Sequence, residues 1–123
     1  MIINEDLLKE IGQRELAELS DLNGTGELDQ SVIDDAKRDA ISFIESFFRI
    51  PAEPTPLLKK IAVELTIMEL RRRNELPVDS ERKKELEGYL QKMATGKIPT
   101  TLLEQERFER PKRRAFIHQR KAR

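Results

Sequence analysis

Apolar positions recur at helical spacing in four stretches of this 123-residue chain, with Gly- and Pro-bearing breaks between them. The stretch around which the others are organised is residues 54–74, PTPLLKKIAVELTIMELRRRN. Thr55 can cap it, and Pro56 suits a first turn, where no backbone donor is missed. At 100° per residue, Leu57, Leu58, Ile61, Ala62, Leu65 and Met68 fill one broad arc. Val63, Ile67 and Leu70 lie roughly opposite, with Lys60 and Glu64 in the gap. A helix with two apolar faces needs partners on two sides. Its own bundle would take one, and a neighbouring subunit would take Val63, Ile67 and Leu70. Arg71, Arg72 and Arg73 close the helix, where they favour the C-terminal dipole.

The remaining pattern gives three more helices. Asn4 is a predicted N-cap for a short helix to Ile11, with Gly12 as its stop and a second piece over 13–19. Leu7, Leu8, Ile11, Leu16 and Leu19 are its core candidates. A helix over 30–48 has the cleanest amphipathic wheel, with Val32, Ile33, Ala36, Ala40, Ile41, Phe43, Ile44, Phe47 and Phe48 on one half. It holds three of the five phenylalanines, which are expected to form the heart of the core. Pro51, Pro54 and Pro56 rule out helix between residues 50 and 56 and make that segment a rigid connector. A fourth helix is predicted from Asp79 or Ser80 to Gly96, with a narrow stripe of Leu86, Tyr89, Leu90, Met93 and Ala94. Leu102, Leu103 and Phe108 allow one or two turns before Pro111. The segment PKRRAFIHQRKAR beyond it has no periodicity that could bury it, so disorder is expected in the isolated subunit. The fold class is therefore all-α: a small bundle of about four helices with a central helix over residues 1–99, and an extended basic arm over 100–123.

Composition narrows the function. The chain is 37% charged and 5% aromatic with five glycines, a balance that suits a helical domain better than a sandwich or barrel. No apolar run approaches the ~18 residues of a membrane span. Acidic residues stand where a secretory signal would be basic, and cysteine is absent, so a cytoplasmic setting is expected. The formal net charge of zero hides an asymmetry. Residues 1–99 hold 15 Lys+Arg against 20 Asp+Glu, a net of −5, while residues 100–123 hold 8 against 3, a net of +5. A basic tail on an acidic body is expected to meet an acidic surface.

One stretch resembles a metal loop. Asp21, Asn23, Thr25, Glu27 and Asp29 alternate around Gly26 as in the opening of an EF-hand. The twelfth place, which needs a bidentate Glu, is Val32. A glycine-hinged turn is expected instead, with Asp29 or Ser31 capping the next helix. His118 has no defined partner in the tail, no serine sits in a nucleophile motif, and the NGTG turn leads into acids that repel phosphate. Neither an enzyme, a cofactor nor a functional metal site is expected.

The order of features carries a family resemblance. A short acidic helix ending IGQRELAELSD leads to DLNGTGELD and SVIDDAKRDAISFIESFF. A proline-rich connector, PLLKKIAVELTIMELRRR and a last helix finishing LQKMATGKIP follow. Over residues 1–99 this resembles the small helical head–tail connector (adaptor) proteins of Mu-like phages and prophages. The resemblance implies a homo-oligomeric ring, commonly of twelve subunits, below the portal in the virion neck. Such a ring is assembled in the host cytoplasm, contacts portal and neck or tail proteins, and passes DNA through its channel without sequence-specific contact or a membrane. The arm lies beyond the resemblance. As interface it offers Phe108, Phe116 and Ile117, with Arg113, Arg114, Arg120, Lys121 and Arg123 as charge partners. The alternative is a nucleic-acid-binding module acting through those same arginines. A calcium-responsive regulator using Asp21 to Asp29 is a third reading.

Overall fold

A computed structural model describes residue 2 and residues 4–106. Those residues are mostly helical, and none of them forms a strand. Four helices follow in order: α1 (Asn4–Ser20), α2 (Gln30–Glu45), α3 (Pro56–Arg73) and α4 (Ser80–Ala94). A short helical turn covers 102–106. Local chemistry explains most boundaries. The Asp29 carboxylate accepts the Ser31 N–H, the Thr55 hydroxyl the Leu58 N–H and the Asp79 carboxylate the Arg82 N–H, so each helix after α1 starts on a side-chain cap. Gly12 sits at φ 82° and ψ 163°, kinking α1 where the sequence predicts its stop. Asn4 does not cap. Its carboxamide is turned onto α2, where Gln30 and Lys37 bond it.

α3 is the central helix. α2 packs along it most extensively, and α1 closes a second side. Leu58, Ile61, Ala62, Val63, Leu65, Thr66, Ile67 and Leu70 are all buried along its length. This corrects one sequence expectation. Val63 and Ile67 are 7% exposed and Leu70 is fully buried, so the chain's own bundle covers most of the face expected to await a neighbour, leaving only an edge of Ile67 at a surface hollow. The phenylalanines are a second correction. Phe43, Phe47 and Phe48 are only half-buried and pack against a core that is aliphatic at its centre, built from Leu7, Leu16, Ile33, Ile44, Leu58 and Ile61. α2 ends at Glu45, so Phe47 and Phe48 fall in the turn after it, where the wheel no longer aims them inward. In α4, Leu86, Leu90 and Met93 are buried, while Tyr89 is half-buried and Ala94 exposed.

The ends of α3 and α4 share one design. After α3, the Glu75 N–H bonds the Arg72 carbonyl and the Leu76 N–H the Arg71 carbonyl, both reversed contacts of a Schellman motif. After α4, Gly96 and Lys97 repeat it on Met93 and Lys92. Both motifs need a left-handed residue. Gly96 supplies it at φ 79°, whereas α3 uses Glu75 at φ 57°. Past α4 the chain returns to the connector. The Thr55 N–H bonds the Thr100 carbonyl at 3.0 Å, and the Leu102 N–H bonds the Glu53 carbonyl at 3.2 Å, forming an isolated antiparallel bridge between Pro54 and Thr101.

Candidate interaction surfaces

The C-terminal arginines of α3 do more than answer the helix dipole. Arg71 reaches Glu15 of α1 at 3.0 Å. Arg72 folds back onto Glu69, whose carboxylate raises the guanidinium pKa still further. Arg73 turns the other way, bonding Asp39 and the Val32 carbonyl of α2. Asn74 donates to the Leu19 carbonyl at 2.6 Å. One turn of α3 therefore clamps α1 and α2 together. Periodicity gave no sign of this, because the partners stand 34 to 56 residues away in sequence.

α4 is fastened by a second charge cluster. Arg82 forks onto Glu64 with contacts of 3.1 and 2.9 Å and also meets Glu85 at 2.8 Å. Both carboxylates hold its pKa above the ordinary arginine value. The Lys83 ammonium stands 5.2 Å from the Phe43 ring centre, a cation–π contact between α4 and α2.

In the 21–29 loop, the Asp21 carboxylate is spent on the loop itself. It accepts the N–H groups of Thr25 at 2.7 Å and Gly26 at 2.6 Å, and the Thr25 hydroxyl at 3.0 Å. The Thr25 N–H, then the Gly26 N–H, hold its pKa below the usual carboxylate value. Asp29 caps α2, and its pKa is lowered chiefly by the Ser31 hydroxyl. The Asp29 N–H meanwhile bonds the buried Ser20 hydroxyl at 3.0 Å. Glu27 donates its N–H to the Thr25 hydroxyl, and Asn23 is exposed. The twelfth place of the loop, Val32, gives its carbonyl to Arg73. The geometry is that of an Asx-type turn leading into a helix cap.

Two hollows flank α3 and meet at Met68 and Val78, which line both. The larger, about 430 Å³, lies towards α2 and the start of α4. Its floor is Ala40, Phe43 and Leu65, and its rim is balanced, with Asp39 and Glu69 against Arg72 and Lys83. The smaller, about 310 Å³, lies between α1, α3 and the 74–79 linker. Ile11 and Ile67 complete its apolar floor, while Glu10, Glu15, Glu64 and Asp79 rim it against Arg71 alone. Neither hollow is visible in the sequence, since each joins residues from three separated segments. Elsewhere, Leu22, Leu28, Leu57, Leu76, Leu102 and Leu103 are exposed. Phe108, Phe116, Ile117, Arg113, Arg114, Arg120, Lys121 and Arg123 lie outside the described residues.

Among the described residues, no helix is long and apolar enough to cross a membrane. The fold defines a small all-α protein, and among the described residues its surface carries ion pairs between helices and two shallow hollows beside α3. The family model described as Bacteriophage Mu, Gp36 matches residues 2–118, and the chain belongs to that family. It is therefore a phage protein of Mu-like type. The match also runs past the 1–99 limit of the resemblance read from the sequence and takes in most of the basic arm. No curated protein and no solved structure matches the chain.

Proposed function

We propose that the chain is a structural head–tail connector subunit of a tailed phage or prophage, joining portal to neck as part of a ring around the DNA channel. Membership of the Mu Gp36 family over residues 2–118 is the observation that carries this reading. Charge supports it. A body of net −5 bearing an arm of net +5 is suited to a subunit whose arm is received by another protein surface. An acidic wall also lets DNA pass without sticking. The role is one of assembly and not of catalysis, and its setting is the virion.

Removal of residues 107–123 tests it. The cut leaves the bridge between Pro54 and Thr101 in place, so the body is expected to keep its helical signal and melting temperature. The truncated chain is expected to fail to enter heads or neck complexes. Normal incorporation, together with tight, steeply salt-dependent DNA binding by the full chain, would instead favour the nucleic-acid module, because each neutralised phosphate releases counterions.

A further inference from the structure

We infer that the acidic hollow between α1, α3 and the 74–79 linker is the seat for residues 111–123 of a neighbouring copy of this chain. The inference rests on the connector reading above and names the surface that receives the arm. The two parts match in chemistry. The segment PKRRAFIHQRKAR carries six Lys+Arg and no acid, and places the apolar pair Phe116–Ile117 between Arg113–Arg114 and Arg120–Lys121. The hollow inverts that order, with an apolar floor inside an acidic rim. Of the rim carboxylates, Glu15 is answered by Arg71 and Glu64 by Arg82, which stands outside the hollow. Glu10 has no ion-pair partner among the described residues, and Asp79 meets only the backbone N–H of Arg82. These two carboxylates are left to meet arriving arginines. A hollow of about 310 Å³ holds roughly ten waters' worth of volume, room for an aromatic side chain and an aliphatic neighbour. The balanced hollow on the α2 side offers no such charge contrast.

Nine residues lie between Glu106 and Phe116, and the ten Cα-to-Cα steps span at most about 36 Å when extended. An arm on one copy and a seat on the next make a heterologous contact, the kind that closes into a ring when the rotation between copies allows.

Sedimentation velocity of the full chain at rising concentration tests the seat, using two variants. Glu10→Lys reverses an exposed, unpaired charge of the rim, and a circular-dichroism melt checks that its fold is kept. Phe116→Ser with Ile117→Ser removes the anchor. The wild-type chain is expected to associate, and each variant to associate about tenfold or more weakly. A one-to-one mixture of the variants is expected to form dimers and nothing larger, because each dimer keeps one broken seat and one broken arm. Association of Glu10→Lys at wild-type strength, with loss only in the anchor variant, overturns the seat and leaves the arm reading intact. Wild-type association by both variants overturns both. A wild-type chain that stays monomeric at every concentration overturns the seat between copies. If the anchor substitutions then shift the methyl NMR signals of Ile11 and Met68, the arm occupies its own chain's hollow.

Discussion

Glu75 holds the left-handed position of the motif that ends α3, which Gly96 holds after α4. A side chain there strains the backbone by roughly 1 kcal/mol, a strain glycine lacks. Glu75→Gly is therefore expected to stabilise the domain by about 0.5–1 kcal/mol, and Gly96→Ala to destabilise it by a similar amount, both read from thermal melts. Asp21 gives a pH signature. Its folded-state pKa lies below the ordinary aspartate value, so its bonds to the loop are fully present above that value and are lost as pH falls through the lowered one. The amide NMR signals of Thr25 and Gly26 are expected to move only at pH values under about 4, and Asp21→Asn to abolish the movement. The core ranks its residues differently from the sequence pattern. Ile44 is fully buried and Phe43 is not, so Ile44→Ala is expected to cost about 2–5 kcal/mol and Phe43→Ala less. A larger loss for Phe43→Ala in denaturant unfolding would return the phenylalanines to the centre.

Helices were legible because their signals are local. Asp29, Thr55 and Asp79 stand where caps belong, Gly12 breaks α1, and the prolines bound α3. What the periodicity left open was what covers each face. Val63, Ile67 and Leu70 read as a second interface because a helix ringed by its own bundle and a helix shared with a neighbour have the same wheel. The Arg71–Arg73 clamp was hidden for a related reason, since its partners are settled by tertiary packing. Arg73 is the anchored member, with a side chain 19% exposed against 65% for Arg72. Arg73→Ala is expected to cost about 1–2 kcal/mol, through the lost bonds to Asp39 and Val32, and Arg72→Ala well under 1 kcal/mol. Equal melting temperatures for the two variants would remove the clamp from the account of stability.

At the scale of the molecule, composition shows an acidic stretch over residues 1–99 and a basic one over 100–123, and the order of motifs along the chain points to a Mu-like phage family. The hollows escaped notice because each joins α3 to segments distant in sequence, and shape arises only once they pack. The bridge at Thr101 was equally hidden, since two short extended segments leave no periodic trace. It has a mechanical consequence. Tension on the C-terminal side of residue 102 meets the two backbone bonds flanking Pro54 before it meets the bundle. A pair of bonds at one bridge yields long before four packed helices do. Pulled from its C-terminal end, the chain should first lengthen slightly as residues 100–102 peel from the 50–56 segment, and only at higher load surrender its fold.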